Sequence, residues 1–88
     1  MTVPASVLVG ARIRSLRKLH GLSQSALGAR CGVGQTQVSR WERGRTPVPV
    51  AHRRYLAEAL GQVEASLFLE EYVAEREAMI DALGTAAA

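Results

Sequence analysis

Cysteine is almost missing from this 88-residue chain. Cys31 stands alone, so no disulfide closes within the chain, and no second cysteine or nearby histidine supplies zinc-ligand spacing. Neither a metal ion nor a cofactor is expected, and the fold must rest on packing. Nor is there an apolar run approaching the roughly 18 residues of a membrane span. The start, residues 1–6, lacks a basic stretch followed by an apolar one. These absences lead us to expect a soluble protein of a reducing, cytoplasmic compartment, with no membrane contact. No nucleophile, base and orienting group stand at a workable spacing, and there is no phosphate-binding loop, so an enzyme is not expected.

Acid is scarce over residues 1–61. There, Arg12, Arg14, Arg17, Lys18, Arg30, Arg40, Arg43, Arg45, Arg53 and Arg54 face only Glu42 and Glu58, a net of +8. Residues 62–88 reverse the sign, with Arg76 against Glu64, Glu70, Glu71, Glu75, Glu77 and Asp81, a net of −5. A polyanion is the partner that such a basic segment attracts. Lysine occurs once against ten arginines, and alanine is plentiful, as in chains from GC-rich genomes.

At 88 residues with 48% hydrophobic content the chain has room for one compact domain. Every periodic segment reads as helix. Leu8, Ile13, Leu16 and Leu19 predict a first helix over residues 7–19, with Gly21 as its stop. Ser23 stands as N-cap before a second helix over residues 24–31, which carries Leu27 and Cys31 on one face and ends at Gly32. Val38 and Trp41 lie three apart in a third, over residues 35–43, closing at Gly44. Past Thr46, Pro47 and Pro49 a fourth runs over residues 50–60 to Gly61. Residues 63–83 form one longer helix, or two with a bend near residues 68–70, and residues 85–88 read as a disordered tail. Cys31 reads as a small core residue, and His20 and His52 as surface groups near helix ends.

Residues 24–43 place small and apolar positions where a tight helix-turn-helix needs them. Gly28 lets two helices approach, Gly32 suits the turn, and Leu27, Val33, Val38 and Trp41 face inward together. At about 100° per residue, Gln35, Thr36, Ser39, Arg40 and Arg43 share an arc of roughly 140° on the other side of the third helix, and no acid falls within it. Glutamine pairs with adenine, arginine with guanine, and serine or threonine with several base edges, so this face has the chemistry of major-groove readout.

The pieces GLSQ (residues 21–24), GVGQTQVSRWERG (32–44) and ALG (59–61), in that order and spacing, resemble the Cro/Xre-type helix-turn-helix family of phage and bacterial repressors. The resemblance covers residues 13–61. It implies an all-α, five-helix, lambda-repressor-like domain over residues 1–62 that binds double-stranded operator DNA, usually as a dimer, with an extended C-terminal helix (63–84) appended. Carried over by position, Gln35, Thr36, Ser39 and Arg40 would read bases, while Gln24, Gln37, Arg43 and Arg45 would meet phosphate. Arg17 and Glu42 match a buried pair that positions the recognition helix. Gly34 departs from the family's usual Ser or Thr cap, and Gly28 from its usual Ala.

Arg12, Arg14, Lys18, Arg53 and Arg54 offer further phosphate contacts, about two of which are expected to be used. The apolar stripe of Leu69, Tyr72, Val73, Met79, Ile80 and Leu83 is wider than a fifth core helix needs, and reads as a dimerisation surface. The expectation is a homodimeric repressor acting on bacterial or phage DNA at the nucleoid. The competing reading is an antitoxin or adaptor whose C-terminal helix binds another protein.

Overall fold

The computed structural model describes residues 2–87, with side chains over residues 2–84. It contains α1 (Ala5–Leu19), α2 (Gln24–Cys31), α3 (Gln35–Glu42), α4 (Val50–Ala59), α5 (Glu64–Leu67) and α6 (Leu69–Ala87), and no strand among the described residues. α1 packs on α3, α5 and α6, while α2 rests on α3 and α4. The all-α architecture is the expected one. The single long helix or bent pair resolves into a one-turn α5 and a long α6, parted at the fully buried Phe68.

Local chemistry sets these boundaries. The Ser23 side chain accepts from the Ala26 amide at 3.0 Å and so opens α2. Gly32, at φ 73°, closes it in the left-handed conformation that lets the chain turn directly into α3. Two expected boundaries moved by more than one residue. α1 begins earlier, at Ala5, with Pro4 as N-cap. Gly84 is not a stop, since α6 runs through it to Ala87; the predicted tail from Thr85 is therefore helical up to that point, and Ala88 lies outside the described residues.

Val9, Ile13, Leu27, Val38, Trp41, Leu56, Leu60, Leu67 and Phe68 form the centre of the core, with Cys31, Val48 and Ala57 around them. Leu8 and Leu19, expected inside, are exposed at 44% and 81%. The buried line of α1 runs instead through Val9, Ile13 and Arg17, because Arg17 must face α3 and the helical repeat then carries Leu8 and Leu19 outward. Gly10, on that line, is what lets α1 come so close. A Cβ there would meet the Trp41 carbonyl oxygen and stand 2.8 Å from that of Glu42.

The histidines are more engaged than their sequence positions suggest. His20 Nε2 donates to the Leu60 carbonyl at 2.9 Å, tying the end of α1 to the end of α4. The His52 ring lies 5.6 Å from that of Trp41.

The acidic α6 is held to the basic body by two arginines. Arg12 binds Glu70 at 2.8 Å and the Leu67 carbonyl at 2.9 Å. Arg53, 2% exposed, binds Glu75. The hydrogen bonds from these arginines hold the Glu70 and Glu75 carboxyls below the usual carboxylate range. Glu71 is the opposite case: it is buried, its Oε1 has no hydrogen-bond partner among the described residues, and desolvation pushes its carboxyl upward. A carboxyl whose folded pKa is raised favours the fold below its unfolded value and opposes it once pH passes the folded value. Glu71→Gln is therefore expected to raise the melting temperature at pH 7 and to lose that advantage below about pH 4, where both states of the parent chain hold the proton. Melting curves at the two pH values check this, and equal shifts at both would reject it.

Candidate nucleic-acid interface

α3 has two chemically distinct sides. Val38, Trp41 and Glu42 are buried, whereas Gln35, Thr36 and Arg40 are exposed and Ser39 is half-buried. The only acid of the helix, Glu42, is thereby turned into the protein. Gly34 supplies no side-chain cap, yet α3 still starts at Gln35, as expected for a glycine that caps through its extended backbone. The small residue at Gly28 has a direct cause in the turn, where a Cβ would stand 2.6 Å from the Val33 carbonyl oxygen.

Behind the exposed side, a connected set of hydrogen bonds runs from the core to the first turn of α3. Arg17 Nε donates to Glu42 Oε2 at 2.6 Å and Nη2 to Oε1 at 3.1 Å, a two-pronged bond, while Nη1 donates to the Leu22 carbonyl at 2.8 Å. Glu42 Oε1 also accepts from Gln24 Nε2 at 3.1 Å. Gln24 Oε1 in turn accepts from Gln35 Nε2 at 3.5 Å, and Gln35 Oε1 accepts from Ser25 Oγ at 3.2 Å. The first residue of the recognition helix is thus oriented by α2, and α2 by the buried ion pair. The bond to Glu42 holds the Arg17 guanidinium even further above its ordinary value, against the opposing effect of burial.

The predicted contact residues divide as follows. Gln35, Thr36, Ser39 and Arg40 sit on α3, with Arg43 and Arg45 exposed just beyond its end. Gln24 lies beside Gln35, but its amide is engaged with Glu42 and Gln35, and Gln37 is half-buried. Of the five further cations, Arg12, Arg53 and Arg54 pair with Glu70, Glu75 and Glu58. Arg14 and Lys18 form no ion pair among the described residues. Arg14 joins Arg17, Gln24, Ser39, Glu42 and Arg43 around a cleft where α1, α2 and α3 meet. Its place was readable from the three-residue step to Arg17, whereas the contribution of Ser25 depends on a turn geometry that spacing does not reveal.

A short first helix capped by serine, a glycine turn and a second helix with one buried and one hydrogen-bonding side make a helix-turn-helix, and residues 13–68 match the family model described as Helix-turn-helix. The chain belongs to the helix-turn-helix family. Its Cro/Xre-type, lambda-repressor-like character is as the sequence motifs implied. This helix-turn-helix chain is 37% identical over 65 residues to the uncharacterized HTH-type transcriptional regulator y4aM of Sinorhizobium fredii, covering 74% of this chain and 45% of that protein. It therefore spans less than half the length of that regulator. Among solved structures, the P22 c2 repressor protein in complex with a synthetic operator is 36% identical with a TM-score of 0.65, covering 67% of this chain and 89% of that one. The clp gene regulator ClgR of Corynebacterium glutamicum is 26% identical with a TM-score of 0.71, covering 94% and 90%. Among the described residues, no helix of this helix-turn-helix protein is long and apolar enough to cross a membrane.

Removing one member of a buried ion pair leaves the other charged and enclosed, a loss of about 3–5 kcal/mol, which approaches the whole stability of a domain this small. Glu42→Ala should accordingly lower the unfolding free energy by about that amount in a urea titration followed by circular dichroism. A loss under about 1 kcal/mol would mean that water reaches Arg17.

Proposed function

We propose that this chain is a sequence-specific DNA-binding transcriptional repressor that acts as a homodimer on an inverted-repeat operator. The observation that carries the reading is the exposed, acid-free side of α3, with Gln35 oriented by hydrogen bonds that lead back to the buried Arg17–Glu42 pair. A reading helix needs hydrogen-bonding side chains held in fixed geometry, since bases are distinguished by the placement of donors and acceptors in the major groove. Gln35, Thr36, Ser39 and Arg40 then select sequence. Gln24, Gln37, Arg43 and Arg45, with Arg14 beside them, set position on the phosphates. The P22 c2 repressor, solved on an operator, lends the repressor role its support. Promoter occlusion in a bacterial or phage-infected cytoplasm, on nucleoid DNA, is the corresponding mechanism.

Dimerisation is assigned to α6. Leu69, Val73, Met79, Ile80 and Leu83 are all 45–64% exposed, and Leu69, Val73, Ile80 and Leu83 keep the three- and four-residue register of a helix seam. Tyr72 is set apart from this group, because it is half-buried against the core beneath Arg53. Leu8 takes its place: with Val3, Leu69, Val73 and Ala74 it lines an apolar groove between the start of α1 and α6. A second copy laid along this strip brings two recognition helices onto one face, to reach successive major grooves about 34 Å apart.

Selection of bound duplexes from a random pool at physiological salt tests the reading, and enrichment of an inverted repeat is expected. Arg40→Ala should cost about 1–3 kcal/mol on the selected site and relax preference at one base pair, whereas Arg45→Ala should weaken cognate and random duplexes alike. Equal losses on both duplexes for Arg40→Ala would remove its base-reading role. Ile80→Asp should convert the dimer to a monomer in sedimentation. A wild-type chain that sediments as a monomer would instead point the strip at a different protein, as in an adaptor or antitoxin.

A further inference from the structure

Arg53 is buried at 2% exposure, the lowest of the charged residues among those described, and it belongs to neither the reading face nor the dimer strip. Its guanidinium joins three parts of the chain. Nε donates to the Val48 carbonyl at 3.0 Å, in the linker that also carries Arg45. Nη1 and Nη2 donate to the two carboxylate oxygens of Glu75, on the second turn of α6, at 3.3 and 2.5 Å. Its central carbon lies 5.5 Å from the Phe68 ring centroid and 4.9 Å from that of Tyr72. A planar fork with donors in fixed directions satisfies all of these at one angle only, which a lysine ammonium does not require.

Arg12 grips the same helix from α1, through Glu70. Glu70 and Glu75 are separated by about 140° around α6, and the strip of Leu69, Val73, Ile80 and Leu83 occupies the remaining side. The two straps thus fix both the rotation and the tilt of α6 while leaving its apolar strip outward. Beyond Glu75 the helix continues to Ala87, an arm of about 18 Å, so a small change of angle at Arg53 moves the far end of the strip by several times the displacement at its root.

We propose that Arg53 is the positioning residue that sets which half-site spacing the protein accepts, by locking the angle between α6, the linker and, through that linker, the recognition helix. The proposal rests on the dimer reading above. In a dimer joined through α6, that angle determines how far apart and in what mutual orientation the two α3 helices stand. Half-site spacing is therefore specified at a residue that touches neither DNA nor the partner copy.

The test uses the selected half-site, duplicated as an inverted repeat with the spacer varied one base pair at a time, and also present once. Binding is measured for the full chain, Arg53→Lys and Glu75→Gln. The second variant keeps the Val48 and ring contacts of Arg53, and so remains informative if the first does not fold. The full chain is expected to favour one spacing. In the variants its preference over the neighbouring spacings should shrink by roughly tenfold, as a looser joint spreads the effective concentration of the second reading helix, while affinity for the single half-site stays within about twofold. An unchanged spacing profile in a folded variant would overturn the assignment to Arg53 alone, as would equal losses on single and paired sites, the mark of a merely structural role. A full chain that gains nothing from a second half-site at any spacing would overturn the dimer reading and this proposal with it.

Discussion

Everything that presents the exposed side of α3 depends on one buried ion pair. Arg17 and Glu42 lie on different helices, 25 positions apart in sequence, and their two-pronged bond fixes where the end of α3 sits on α1. Such a pair contributes little net stability relative to apolar packing, because both charges must be stripped of water. Its value here is directional. Apolar contacts between Val9, Ile13, Val38 and Trp41 would tolerate some sliding of α3 along α1, whereas the fork of Arg17 tolerates almost none. Gly10 belongs to the same arrangement, since the carbonyls it admits are those of Trp41 and Glu42, the residues that end the recognition helix.

The charge division along the sequence has two outcomes in the folded chain. Part of the basic excess is left outside the chain's own ion pairs: Arg14, Arg40, Arg43 and Arg45 make none with an acid among the described residues. The rest is used internally, where Arg12 and Arg53 take up Glu70 and Glu75 and bind the acidic helix to the basic body. The two ends are opposite in sign partly because they are each other's partners. Burial of Arg53 alone would lower its pKa, but its hydrogen bonds to Glu75 and the nearness of Tyr72 outweigh that effect.

What could be read in the sequence was whatever local rules decide. Ser23 and Gly32 bracket α2 because capping is a matter of one or two residues, and the two sides of α3 follow from the helical repeat alone. Trp41 could be placed in the core from its step to Val38. Most of the failures have a different cause. Leu8 and Leu19 fit a helical repeat as well as Val9 and Ile13 do, and only the demand that Arg17 face α3 selects between the two lines. Tyr72 fits the α6 strip by spacing but is drawn inward by a guanidinium from α4, and the partners of Arg12 and Arg53 lie more than twenty positions away. Gly84 carries the signature of a helix stop, yet glycine only permits a left-handed turn and does not impose one. Long-range pairing of charges leaves no period in a sequence.

The chain's single tryptophan lies on the inner side of the recognition helix, 1% exposed and beside His52, with Gln35, Thr36 and Arg40 turned the other way. The protein thereby carries its own optical label for the seating of α3, placed where bound DNA cannot touch it. Whether the recognition helix is docked, and whether it is occupied, are consequently two separate observables in this molecule, the first read from indole emission and the second from the DNA.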